Sequence, residues 1–142
     1  MIPIKLLMHI NSPKNEVFQA ITETDKLSKW YTTIVKGVFK LDEIITFEFV
    51  NFAEFKFRVV SFTKDESVHL EIIESAFDNI GHTMKYELDE NDGKTRVRYT
   101  YEGFGVMDDS YANMNYSSAK YLESLRQYCQ TGNGEAFGSP SY

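Results

Sequence analysis

The sequence predicts an α+β domain in which a curved antiparallel sheet of about seven strands wraps around a long C-terminal helix, with two short helices after the first strand. Three observations carry this. A two-residue hydrophobic period runs from Thr33 to Glu102 with turn-rich breaks at short intervals. An amphipathic helical pattern follows from Asp108 to Gln130. The chain has 142 residues, 42% of them hydrophobic and 25% charged, which suits one core rather than two.

At the N-terminus Ile4, Leu6, Met8 and Ile10 alternate with Lys5, Leu7 and His9, the period of a half-buried strand. Ser12-Pro13 predicts a helix start, because the serine oxygen can cap free amides and proline at the first helical position has no amide to leave unpaired. Val17, Phe18, Ala20 and Ile21 give that helix one apolar face. Thr24 or Asp25 can cap a second short helix, which carries Leu27 and Trp30 and ends near Tyr31. Breaks then fall around Leu41 and Asp42, Asn51, Lys64 to Glu66, Asp78 and Asn79, and Asp89 to Gly93, and six strands fit between them. Such spacing predicts successive hairpins, with Asp92-Gly93 as a tight turn.

One parity of these strands carries the bulk: Ile45, Phe47 and Phe49; Phe55, Phe57 and Val59; Val68, Leu70 and Ile72; Met84, Tyr86 and Leu88; Val97, Tyr99 and Tyr101. The other holds Glu48, Lys56, Arg58, Glu71, Lys85, Arg96 and Arg98. A sheet with one oily face must bury it, and the last long helix is the available cover. Asp108 or Asp109 can cap its start and Gly132 can end it. Helical spacing puts Tyr111, Met114, Asn115, Ser118, Leu122, Leu125 and Cys129 on one face, with Lys120, Glu123, Ser124 and Gln127 opposite. Residues 1–132 thus read as a single domain. The Gly- and Ser-rich residues 133–142 read as a flexible tail pinned at Phe137.

The net charge of −6 comes from scattered acidic residues with no basic block to neutralise phosphates, which disfavours nucleic acid and anionic membrane as partners. No stretch approaches the apolar run of a membrane span, and no signal segment is evident, so the expected location is the cytoplasm. The lone Cys129 has no second thiol for a disulfide or a shared metal. Aromatics reach 15% and concentrate mid-chain, as suits a wide interior filled with side chains.

The order strand, two short helices, six-strand meander and long C-terminal helix resembles the helix-grip fold. The run Ile10-Asn11-Ser12-Pro13-Lys14-Asn15-Glu16-Val17-Phe18-Gln19-Ala20-Ile21-Thr22, the step from Leu27 to Trp30, and Ser118 to Gly132 with its Leu122, Leu125, Tyr128 and Gly132 spacing resemble the START-like (SRPBCC) superfamily. Within it the chain is similar to the branch named for the activator of the heat-shock-protein ATPase, whose members often carry names taken from polyketide cyclases. The resemblance covers nearly the whole chain and rests on structural motifs. It implies a cavity between sheet and helix that takes apolar or aromatic small molecules; a few members are enzymes, and others assist the chaperone. The chaperone-activating pattern includes a preceding N-terminal domain, a feature this sequence does not display.

Candidate site residues follow from the inward positions. Phe47, Phe57, Tyr86, Tyr99, Tyr101 and Tyr111 supply rings, the tyrosines with hydroxyl tips that can stack on a ligand and fix one polar group, or else form ordinary aromatic core. Asn115 and Ser118 need partners on an apolar helix face. A ligand or cavity water supplies them, or Ser118 serves close packing while Asn115 bonds a neighbour. His82 shares parity with Met84 and Tyr86 and points inward, as a core histidine or as an acid or base for a substrate. His9, His69 and His82 lack metal-ligand spacing, so no metal is expected, and no cofactor. The acidic pairs Asp65-Glu66, Asp89-Glu90 and Asp108-Asp109 fall at turns or a cap and are assigned no chemistry. Gly103 and Gly105 around Phe104 read as a hinge or gate.

Three functions are consistent with these features. The leading one is binding of a small apolar or aromatic molecule between the long helix and the sheet. The alternatives are a cyclase- or dehydratase-type enzyme in which His82 and Tyr86 or Tyr99 move protons, and a chaperone-interaction module. Exposed sheet edges also offer a route to a homodimer.

Overall fold

The alternation at the N-terminus forms β1 (Ile4–Ile10), in which Ile4 and Ile10 are buried and Lys5, Leu7 and His9 exposed. The computed structural model describes residues 1–142. Two short helices follow, α1 (Lys14–Thr22) and α2 (Thr24–Trp30), burying Val17, Phe18, Ala20 and Ile21 from the first and Leu27 and Trp30 from the second. Their expected side-chain caps are not made. Pro13 itself holds the capping position of α1 in an extended conformation, and the Ser12 hydroxyl instead donates to Glu16 Oε2 at 3.2 Å. A single residue, Glu23, both ends α1 and precedes α2, and its own amide donates to the Gln19 carbonyl, so neither Thr24 nor Asp25 stands where a cap is needed.

The six further strands are β2 (Ile34–Lys36), β3 (Ile44–Phe49), β4 (Ala53–Thr63), β5 (Ser67–Glu74), β6 (Thr83–Asn91) and β7 (Lys94–Glu102). They form one antiparallel sheet in the order β1-β7-β6-β5-β4-β3-β2. Asp92 and Gly93, both at positive φ, make the two-residue turn between β6 and β7. The inward parity is buried throughout β3, β5, β6 and β7. On β4 the register slips between Val59 and Ser61, and this bulge moves the inward parity by one residue. Phe62 consequently turns to the core and meets Phe18 edge-on at 5.3 Å.

Helix α3 (Asp109–Thr131) starts where Asp108 accepts a hydrogen bond from the Tyr111 amide at 3.0 Å and ends at Gly132. It crosses the oily face and makes the helix-grip fold. Two positions on it differ from the helical-wheel reading. Asn115 is exposed, and Ser124, placed on the outer face by spacing, is buried. The reason lies in what packs on that side. The Ser124 hydroxyl donates to the Trp30 carbonyl and accepts from the Glu135 amide, both at 2.7 Å, so α2 and the C-terminal segment cover a polar flank of the helix.

Residues 133–142 also pack on the domain, and Phe137 is the pin expected from the sequence. The Phe137 amide donates to the Tyr31 carbonyl, and the Thr33 amide donates to the Phe137 carbonyl, closing a short parallel bridge between Thr32 and Phe137. Ala136 is 1% exposed, and Lys120 Nζ lies 3.6 Å over the Tyr142 ring. Backbone pairing of this kind needs no particular side chain, so a glycine- and serine-rich segment can make it. No helix is long and apolar enough to cross a membrane.

Candidate functional site: an uncharged cavity beneath α3

The C-terminal half of α3 lies against α1 and α2, but its N-terminal half faces the sheet across a gap. That gap is a cavity of about 290 Å³ with 17 lining residues, 14 of them hydrophobic. The sheet contributes Phe57, Ile72, Met84, Tyr86, Tyr99 and Tyr101, and α3 contributes Met114, Ser117, Ser118 and Tyr121. Tyr31, Phe49, Phe52 and Phe55 form another wall, with Asn79 from the β5–β6 connection and Phe137 and Tyr142 from the C-terminal segment. None of these side chains carries a formal charge at neutral pH.

The polar groups in this cavity are phenols and hydroxyls. Tyr99 Oη and Ser118 Oγ share a hydrogen bond of 2.9 Å. Tyr101 Oη lies 2.9 Å from His82 Nδ1. Tyr86 Oη points at Met84 Sδ from 3.9 Å, a weak contact. Burial drives the pKa values of Tyr31, Tyr86, Tyr99 and Tyr101 far above the ordinary tyrosine range, with neighbouring phenols adding to the rise at all but Tyr101. Burial also raises Tyr121, with Tyr31 and Tyr142 adding to it. The phenols therefore stay protonated and act as neutral donors and acceptors. Asn79 Oδ1, on a residue of the lining, is fully buried and has no hydrogen-bond partner.

Of the residues singled out from sequence, Phe57, Tyr86, Tyr99, Tyr101 and Ser118 line the cavity together. Phe47 does not reach it; it is buried one layer behind, edge-on to Phe57 at 5.4 Å and to Tyr31 at 5.1 Å. Tyr111 is also outside, its hydroxyl donating to the Pro3 carbonyl at 3.3 Å and its ring against Phe104. Asn115 faces away from the cavity into solvent. His82 stands behind Tyr101 rather than in the wall, and it pairs with Tyr101, not with Tyr86 or Tyr99.

Burial lowers the His82 pKa, with Asp78 opposing, so the neutral imidazole prevails at neutral pH. Its ring fits because Gly103, at φ +146, has no Cβ; one there would overlap the imidazole. Gly103 is thus a seat for His82.

Sequence reasoning missed several wall residues for different reasons. Phe49, Phe55, Ile72 and Met84 were read as inward, but only the gap in packing separates them from ordinary core. Tyr121 lies three residues beyond Ser118 on the same helical stripe and was within reach of the same argument. Asn79 was read only as a turn residue, and Phe137 and Tyr142 as tail. No group of three His, Cys, Asp or Glu side chains stands close enough to hold a metal ion.

The model of the family described as activator of Hsp90 ATPase homolog 1-like protein matches residues 11–130. The chain belongs to that family. As an AHSA1-like chain it resembles the solution structure of the Aha1 dimer from Colwellia psychrerythraea, at 25% identity and TM-score 0.87 over 94% of this chain and 100% of that one. It also resembles DynU16, a putative protein in the dynemicin biosynthetic locus, at 13% identity and TM-score 0.84, covering 93% of this chain but 48% of that one. A third similar structure is protein SSP2350 from Staphylococcus saprophyticus, at 16% identity, TM-score 0.81, and 95% and 97% coverage. At these low identities the last two bear on the fold alone. No curated protein matches the chain. The AHSA1-like assignment places the domain in the SRPBCC superfamily, as the order of elements implied.

Proposed function

We propose that this domain binds one small apolar or aromatic molecule in the cavity between the sheet and α3. The observation that supports the reading is the cavity itself. At about 290 Å³ it falls just short of the roughly 300–1,000 Å³ range of small-molecule pockets, and it has the usual mix of mostly hydrophobic wall and few polar groups. Native mass spectrometry of freshly purified protein, set against its denatured mass, tests this directly. A ligand-sized excess mass is the expected result. An apo mass, together with no thermal shift from any member of an aromatic compound set, would sink the proposal.

The enzyme alternative finds less support. A general acid or base must reach the reacting atom, and His82 meets the cavity only through Tyr101. Chaperone contact and self-association are proposals of a different kind, prompted by the family and by the dimer of the Colwellia relative. The compartment this reading assigns is the cytoplasm, in keeping with a single thiol and no partner cysteine.

A further inference from the structure

Building on the reading of the cavity as a binding chamber, we infer that Tyr142 is its lid: the ring covers the mouth, is held there by the Lys120 cation, and swings away to admit the ligand. Of the 17 lining residues only Phe52 and Tyr142 are exposed, so these two mark where the wall meets solvent. Phe52 sits in the tight connection between β3 and β4, whereas Tyr142 reaches the mouth from the far end of the C-terminal segment.

That segment has a fixed root and a lightly held tip. At the root, the Glu135 amide donates to Ser124 Oγ at 2.7 Å, the Phe137 amide to the Tyr31 carbonyl at 2.9 Å, and the Thr33 amide to the Phe137 carbonyl at 3.1 Å. Gly134 lies so close to α2 that a Cβ there would come within 2.7 Å of the Lys29 carbonyl oxygen. Beyond Phe137 the bonding turns back on the segment itself. The Ser139 amide donates to the Ala136 carbonyl at 3.0 Å, and Ser141 Oγ donates to the Gly134 carbonyl at 3.2 Å. Pro140 stiffens the turn that presents Tyr142, whose amide donates to the Ser139 carbonyl at 3.3 Å. No backbone or serine bond joins this tip to the sheet or to α3.

The Tyr142 ring is held over the mouth mainly by its faces and edges. Lys120 Nζ lies 3.6 Å from its centroid, Phe137 meets it at 4.9 Å and 67°, and Tyr121 stacks at 6.3 Å. Lys120 forms no ion pair, which leaves its charge directed at the ring. Such contacts are weak where water reaches them, so the ring can leave and return while the root stays bonded.

Access to the cavity can be read without any ligand, from the rate at which methyl methanethiosulfonate modifies a cysteine placed in the wall. Ser118→Cys supplies that thiol, with Cys129→Ser removing the native one. Tyr142→Ala should speed the reaction by about tenfold, and Lys120→Gln by about threefold although Lys120 is not part of the wall. Tyr142→Phe, which keeps the ring and its cation, should leave the rate unchanged. Should Ser118→Cys not fold, Ser117→Cys reports on the same cavity. In stopped-flow fluorescence with N-phenyl-1-naphthylamine as the probe, Tyr142→Ala should raise association and release rates together and leave Kd within about threefold.

Labelling of Lys120→Gln or Tyr142→Ala at the wild-type rate would overturn the inference, the first by making the ring a fixed plug. So would a Tyr142→Ala variant that speeds release of the probe alone. Each of these results leaves the binding reading intact. Faster labelling in both variants with no probe bound would uphold the lid and count against the binding reading.

Discussion

Two regions of the same interior, built from similar residues, end in different states. Around α1, α2 and the C-terminal half of α3 the space is filled, and each polar group there has a partner. Trp30 Nε1 donates to the Ala20 carbonyl at 2.8 Å, Ser124 bridges Trp30 and Glu135, and Thr95 Oγ1 donates to the Ser12 carbonyl at 2.7 Å. Under the N-terminal half of α3 the sheet curls away, two short helices no longer fill the gap, and a cavity remains with an unmatched amide oxygen. The difference lies in coverage rather than composition. The C-terminal half of α3 is backed directly by α2 and the C-terminal segment; the N-terminal half spans the concave sheet, with Tyr31, Phe137 and Tyr142 closing the gap only at its side. A fold that must be stable and must also hold a void can meet both needs by assigning them to opposite halves.

This contrast is open to direct tests. The largest expected effect is at Trp30: Trp30→Ala should cost about 3–5 kcal/mol in urea unfolding, the range for removing a large ring from a closed core. Met114→Ala, at the half-exposed cavity wall, should cost nearer ~1 kcal/mol, because that side chain already faces empty space. Comparable losses at the two sites would mean that the halves are equally packed. The Cys129 thiol, pushed up to about 12 by burial with Glu16 adding to the rise, lies on the filled half. At pH 8 it should react with a disulfide reagent on the order of a hundredfold more slowly in folded protein than in urea. Fast labelling of the native state would show that this half opens readily.

A smaller effect separates two serines on one helix. Ser124→Ala leaves the Trp30 carbonyl and the Glu135 amide without their shared partner and should lower stability by about 1–3 kcal/mol. Ser118→Ala should cost less than about 1 kcal/mol, since water in the cavity can replace it beside Tyr99. Paired urea melts read both. The smallest effect is on the outer face, where hydrogen bonding to Arg96 and then Arg98, against some desolvation, holds the Asp89 carboxyl down to about 2 from an ordinary 3.8. A carboxyl lowered on folding contributes fully above pH 3.8 and loses its contribution as pH falls through about 2. Asp89→Asn should therefore flatten acid unfolding slightly in that window and leave stability at pH 7 to pH 5 independent of pH at this site.

How much of this could be read from sequence follows the same division. The sheet was legible because alternation is a local property: Val97, Tyr99 and Tyr101 face inward whatever their neighbours do. The inward stripe of α3 was legible at Ser118, Leu122 and Leu125 for the same reason. Asn115 and Ser124 were misplaced because a helical wheel assumes one flat partner surface, whereas α3 meets the sheet on one side and α2 with the C-terminal segment on another. The cavity wall was half legible. Tyr86 and Tyr99 were named from parity, but the same parity named Phe47, which lies a layer behind. Asn79 gave no signal, because a turn asparagine aimed inward reads the same as one aimed at water.

The bridge from Phe137 to Tyr31 bears on how such a domain can diversify. The segment shared with the family ends at residue 130, yet Phe137 and Tyr142 form part of the cavity wall. Part of the chamber is therefore furnished by residues outside the stretch that defines the architecture. Exchanging those last residues would alter the size and chemistry of the chamber's mouth while the sheet and long helix stay as they are.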